Sequence, residues 1–218
     1  MVDIQKQLDA VDRELRTEDV EGGPSYVQSI SQDYPSGIRE VWDAVTTADR
    51  IARWFLPVSG DLRLGGRYQL QGNAGGEILA CAPPVDGRAQ YRATWEYGGG
   101  VTWLTVSLNE VDAGVTRLRL EHAAHTADVP AEMWDVFGPG ATGVGWDQGL
   151  LGLALHLGAV EGAIDPTEAE AWQLSDEGRA FSRAAADGWA KAHVASGADP
   201  AVAAQAADAT YGFYTGQQ

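Results

Sequence analysis

The sequence predicts an α+β fold: a curved antiparallel sheet wrapped around one long C-terminal helix, with an N-terminal helix and a helical C-terminal extension. Three observations carry this. From Arg67 to His122 apolar residues alternate with polar ones, in runs such as Tyr91/Ala93/Trp95, Leu104/Val106/Leu108 and Leu118/Leu120/His122, and a period of two marks half-buried strands. Asn73 to Gly76, Pro83 to Gly87, Gly98 to Gly100 and Asp112 to Gly114 punctuate these runs with turn-forming residues, as the hairpins of a meander require. Beyond Gly145 the period changes, and Trp146, Leu150, Leu153, Leu157 and Val160 recur as one face of a helix of about four turns.

The other elements follow in chain order. Ile4, Leu8, Val11 and Leu15 stand at helical spacing in a charged segment, so residues 1–21 read as an amphipathic helix lying on the main domain. Gly22, Gly23 and Pro24 end it. Ser25 to Gln32 reads as a first strand, and Tyr34-Pro35-Ser36-Gly37 as the turn into a helix with its stripe at Ile38, Val41, Trp42 and Val45. A second short helix follows around Thr47 to Arg53. Gly138 to Gly145 reads as irregular chain. The helix after it carries Val144, Leu151 and Leu155 on the side opposite Trp146, and a helix apolar on two faces needs cover on both.

Residues 161–218 supply that cover as a helical extension docked on the main domain, 22–160. Asp165-Pro166-Thr167-Glu168 has the pattern of a helix start, with an N-cap and a proline at the first position. Ser175 and Asp199-Pro200 offer two more. Phe181, Ala185, Trp189 and Ala192 form one stripe ending at Gly197, and Val202, Ala206, Ala209 and Phe213 another.

Composition narrows the function. The chain has 218 residues, 44% of them hydrophobic, with eight tryptophans; this suits one main domain with extra segments and aromatic walls inside it. The formal charge of −16 repels phosphate backbones and anionic headgroups, so neither nucleic acid nor membrane insertion is expected. Lys6 and Lys191 are the lysines against thirteen arginines, a usage that resembles a GC-rich bacterial genome. Cys81 stands alone, which excludes an internal disulfide and points to a reducing compartment, the cytoplasm by default. The charged N-terminus has no apolar export core, and no run of about 18 apolar residues occurs.

The order of strand, two short helices, six-strand meander and long helix resembles the helix-grip architecture of the START-like, or SRPBCC, superfamily. Local residues carry the likeness over about residues 24–160: Tyr34-Pro35, Ile38 through Ala44, Arg53-Trp54-Phe55, Gly65-Gly66-Arg67-Tyr68, Thr94-Trp95-Glu96-Tyr97, Thr116-Arg117-Leu118 to His122, and Gly145-Trp146. Together they are similar to the branch named for activators of a heat-shock protein ATPase. The resemblance implies a cavity between sheet and long helix that holds a small apolar molecule, lipid-like, aromatic or polyketide-like. It also admits a cyclase-, aromatase- or hydrolase-like enzyme using the same pocket, and a co-chaperone-like or other interaction module, with homodimerisation open. No cofactor is implied.

Within that frame Trp54, Trp95, Trp134, Phe137 and Trp146 are expected to converge on the cavity, with Leu104, Leu118, Leu120, His122 and Leu150 completing the ligand-binding set. The competing reading is that the aromatics simply fill the core. His122 is the best catalytic candidate, because the strand phase puts its imidazole beside Leu118 and Leu120 near the cavity mouth as donor, acceptor or base. Against this stands a solvated strand-end histidine, since no acid or nucleophile accompanies it at a telling spacing. His122 and His125 make a poor metal pair, so no metal site is expected. The Gly72 to Gly76 and Gly98 to Gly100 clusters read as hairpin turns rather than phosphate loops, and Cys81, without a basic partner, as a buried or inert thiol. Arg67, Arg88, Arg92, Arg117, Arg119 and Glu96 belong to the outer strand face.

Overall fold

In the computed structural model, which describes residues 1–217, all eight strands among the described residues form one antiparallel sheet. The chain opens with helix α1 (Ile4–Ala10), then β1 (Asp12–Val20) and β2 (Gly23–Tyr34). Two short helices follow, α2 (Ile38–Thr46) and α3 (Ala48–Ile51). The meander runs through β3 (Val58–Gly60), β4 (Arg67–Leu70), β5 (Gly75–Val85), β6 (Arg88–Tyr97), β7 (Gly100–Asp112) and β8 (Val115–His125). Because β8 returns to pair with β2, the strand order is β1-β2-β8-β7-β6-β5-β4-β3. Helices α4 (Ala131–Phe137) and α5 (Gly140–His156) come next, then a short 3-10 turn at Pro166–Glu168, α6 (Ala169–Leu174), α7 (Asp176–Ala195) and α8 (Pro200–Thr215).

Three hairpins close on two-residue loops whose residues both have left-handed φ: Glu21-Gly22 (50° and 84°), Asp86-Gly87 (50° and 71°) and Gly98-Gly99 (59° and 86°). This is the turn geometry that matches the natural twist of paired strands. Register shifts in β5, between Ile78 and Ala80 and between Ala82 and Val85, bend the strand as bulges do, and the inner face becomes concave.

Residues 1–21 depart from the predicted helix. The helix stops at Ala10, Val11 turns extended, and residues 12–20 pair with β2 from Asp12↔Ser31 to Val20↔Gly23. A spacing of four is even, so Val11 and Leu15 suit one face of a strand as well as a helical turn. Pairing with β2 decided between them, since β2 would otherwise present a bare edge. Val11 and Leu15 enter the core at 7% exposure. On the outer face of β1, Arg16 pairs with Glu121 at 2.6 Å and Glu14 with Arg119 at 2.7 Å, giving the sheet a charged margin.

Helix α5 also differs from expectation. It begins at Gly140 and ends at His156, leaving Leu157 and Val160 beyond it. Two of its glycines serve close approach rather than turning. A Cβ at Gly143 would lie 2.4 Å from the Trp189 ring, and one at Gly152 only 2.2 Å from the Trp54 carbonyl oxygen. Trp146, Leu150 and Leu153 face the sheet while Val144, Leu151 and Ala154 are buried behind.

The tail lies against that back. Its three starts stand at the predicted residues, with Asp165 accepting from the Thr167 amide, Ser175 from Gly178, and Asp199 from Ala201 and Val202. Phe181, Ala185, Trp189 and Ala192 are buried as a stripe. On α8 the buried face is Ala203, Ala206, Ala207 and Thr210, whereas the predicted Val202 and Phe213 are exposed. Small side chains are what let α7 and α8 approach closely, and the larger residues turn outward.

Candidate functional site

A cavity of about 250 Å³ lies between the concave face of the sheet, helices α2 and α3, and α5. Seven of the ten expected residues line it: Trp54, Trp95, Leu104, Leu118, Leu120, Trp146 and Leu150. Period two delivers the strand residues to one face, and a helical repeat of four brings Trp146 and Leu150 opposite. Trp54 follows α3 and is anchored by its indole N–H, which donates to the Ala44 carbonyl at 2.9 Å.

Sequence reasoning missed Trp42, Tyr68, Cys81 and Tyr91, which also line the cavity. In the sequence Trp42 falls on the α2 stripe and Tyr91 in the strand alternation; an aromatic on the inner phase is the signal they carry. Tyr68 donates its hydroxyl to the Thr94 carbonyl at 2.7 Å, and Thr46 to the Trp42 carbonyl at 2.6 Å. The Tyr91 hydroxyl makes no hydrogen bond among the described residues, and Trp42 packs edge-on to its ring at 6.2 Å. Burial pushes the Tyr91 phenol far above its ordinary range, so it stands as a neutral O–H able to donate and accept. Cys81 sits directly across from Tyr91 in the β5–β6 register and is exposed rather than buried.

His122 is on the inner face but not at the mouth. It is 8% exposed and both ring nitrogens are engaged. The Trp146 indole N–H donates to Nδ1 at 3.3 Å; an indole can only donate, so Nδ1 is the acceptor and Nε2 carries the proton. Nε2 then donates to the Thr102 hydroxyl at 2.7 Å, which donates onward to the Trp95 carbonyl at 3.1 Å. Burial lowers the imidazole from 6.5 to about 4, so it is neutral near pH 7. The chain of bonds holds Trp146 and Trp95, ring centroids 5.0 Å apart, as a rigid partition.

Beyond that partition, under α4, is a second cavity of about 210 Å³, lined by His122, Thr102, Tyr26 and Trp134. Trp134 is therefore not part of the main cavity: it stacks on Tyr26 with centroids 3.7 Å apart and planes 6° from parallel. Phe137 packs on Phe213 at 5.8 Å instead. Both depart from the predicted convergence because α4 is held against α8 and over the β2 end of the sheet, beyond the Trp95–Trp146 partition. His125 points from the opposite face of β8, bonded to the Val20 carbonyl at 2.8 Å. No group of three His, Cys, Asp or Glu among the described residues is placed to hold a metal, and none of the described helices is long and apolar enough to cross a membrane.

A sheet gripping a long helix over an aromatic cavity defines the helix-grip class of α+β proteins. Residues 36–158 match the family model Activator of Hsp90 ATPase homolog 1-like protein, and the chain belongs to that family. Among solved structures it is similar to CalU16 of Micromonospora echinospora. The CalU16 crystal structure is 31% identical, covers 84% of this chain and 98% of that one, and has a TM-score of 0.63. Its solution structure gives 32%, 87%, 97% and 0.66. The protein EF2215 of Enterococcus faecalis shares the fold at 13% identity, covering 88% of this chain and 95% of that one with a TM-score of 0.55. None of the curated proteins matches.

Proposed function

We propose that the protein binds a small apolar molecule with an aromatic ring in the main cavity, oriented by the Tyr91 hydroxyl. The observation that carries this is a cavity of about 250 Å³ whose walls are aromatic and aliphatic and in which one phenol lacks a partner among the described residues. Sites for small organic ligands have this composition, with many apolar contacts for affinity and few polar groups for orientation. Trp54, Trp95, Leu104, Leu118, Leu120, Trp146 and Leu150 supply the contact surface. His122 acts through Trp146, as a positioning residue; with both nitrogens engaged it offers no free lone pair to a substrate.

The test is tryptophan-fluorescence titration with 2-naphthol and naphthalene, which differ by one hydroxyl. Tyr91→Phe should weaken 2-naphthol by roughly tenfold, the value of a hydrogen bond in a dry site, and leave naphthalene unchanged. Ala93→Leu, which fills part of the cavity, should weaken both. Unchanged binding of both probes to Ala93→Leu, with native near-ultraviolet circular dichroism, would reject the main cavity as the site.

A further inference from the structure

Behind the Trp54-Phe55 segment, on the side away from the main cavity, lies a separate pocket of about 330 Å³. The back of α5 forms its floor and the tail closes it through Ile164 and Trp172. Its polar lining is unlike the rest of this acidic chain: Arg53, Gln148, His156 and Gln173 contribute, and no carboxylate lines it among the described residues. The Gln148 Nε2 is buried with no hydrogen-bond partner among the described residues, a state that in folded proteins calls for an explanation. The Arg50 guanidinium donates to His156 Nε2 at 3.1 Å. Arginine can only donate, so His156 carries its proton on Nδ1 as a further donor. Burial, Arg50 and Arg53 all push the His156 pKa down, keeping the ring neutral. Arg50 is already occupied by Glu40 at 2.6 Å and Asp43 at 2.8 Å, whereas Arg53 is exposed and makes no ion pair among the described residues.

We propose that this pocket is a second binding site, for a small aromatic monocarboxylate. One cation and two neutral donors suit a carboxylate, which accepts on both oxygens and carries a single charge. The walls, Trp54, Phe55, Leu151, Leu155, Ile164 and Trp172, suit a flat apolar body. The site exists only because the tail covers α5, and it shares Trp54 and Phe55 with the main cavity, so its occupant would press on the same segment from behind.

The experiment follows the full-length chain by ¹H–¹⁵N NMR during titration with 1-naphthylacetate, with 1-naphthylacetamide as its uncharged counterpart and inorganic phosphate as an anion without an apolar body. Saturable shifts are expected at the Gln148 side-chain amide and at Gly162 and Ala163, with the amide binding at least about tenfold more weakly, in line with a charge-assisted hydrogen bond. Arg53→Gln should cost naphthylacetate a similar factor, and Ala93→Leu should leave its shifts unchanged, which separates this site from the main cavity. The proposal is overturned by shifts confined to Ala93 and Leu104, by equal binding of the amide or of phosphate, by an unaffected Arg53→Gln, or by no binding.

Discussion

The indole N–H of Trp189 donates to the Asp147 carboxylate at 2.8 Å, while Arg13 grips the same carboxylate at 2.5 Å. Three distant segments, β1, α5 and α7, thus meet at a carboxylate that is 1% exposed. Burial pushes the Asp147 carboxyl upward, and Arg13 and then Trp189 pull it back. Removing one partner of such a pair leaves a charge in the interior, at a cost of about 3 kcal/mol or more. Arg13→Met should therefore lower unfolding stability by that amount in urea titration, and Trp189→Phe should also destabilise by at least ~1 kcal/mol. A change below about 1 kcal/mol for Arg13→Met would show that the pair behaves as a solvated one.

Truncation after Val160 removes Phe181 and Trp189, each about fully buried, and uncovers Val144 and Leu151. Large side chains contribute roughly 1.5–3 kcal/mol each on burial, so the shortened chain should melt well below the full one or fail to fold. Calorimetry showing an equal melting temperature would mean that α5 does not need the tail.

Two glycines of α5 should respond in opposite directions to the same substitution. At Gly149 a Cβ would meet Phe55 at 3.7 Å, an ordinary contact, so Gly149→Ala should gain about 0.5–1 kcal/mol of helix propensity. At Gly152 the Cβ would fall 2.2 Å from the Trp54 carbonyl oxygen, and backbone cannot step aside as a side chain can. Gly152→Ala should destabilise despite the same gain, as paired denaturation curves would reveal.

His122 links stability to acid. Its folded pKa, about 4, lies below the ordinary 6.5, so the unfolded chain takes up the proton first as pH falls. Stability from this residue is complete above pH 6.5 and is lost between 6.5 and 4, in total on the order of 3 kcal/mol. Wild type should lose more than His122→Phe over that window. Protonation also places a hydrogen on Nδ1, where Trp146 donates, so indole emission should change near pH 4. Identical pH profiles for the two proteins would remove the assignment.

Much of the architecture was legible because regular burial leaves a period. The phases of Tyr91, Leu104 and Leu118 led directly to the inner face of the sheet, and the capping residues Ser175 and Asp199 marked helix starts. The edge strand at Arg13 was hidden because a spacing of four serves both helix and strand, and only pairing with β2 separates them. The start of α5 was hidden because Gly140 and Gly143 look like turn residues until Thr210 and Trp189 are seen against them. At the site, strand phase found Trp95 and Leu120, but nothing local distinguishes Trp134 from Trp42. Which of them faces the cavity depends on where α4 and α2 dock. The saturation of His122 likewise depends on Thr102 and Trp146, from two other elements.

The return of β8 to β2 bears on how the chain finds this structure. The tight loops at Glu21-Gly22, Asp86-Gly87 and Gly98-Gly99 can close early, on microsecond scales, and each hairpin can zip without waiting for the rest. The seam cannot: Thr116 bonds back to Ser36 across eighty residues, and that closure must be bought with chain entropy before any of its contacts reward it. Until it forms, α5, rich in glycine, has no concave face to lie against. The seam is thus expected to set the folding rate, and substitutions at Ile30 or Leu120, which face each other across it, should slow refolding more than they hasten unfolding.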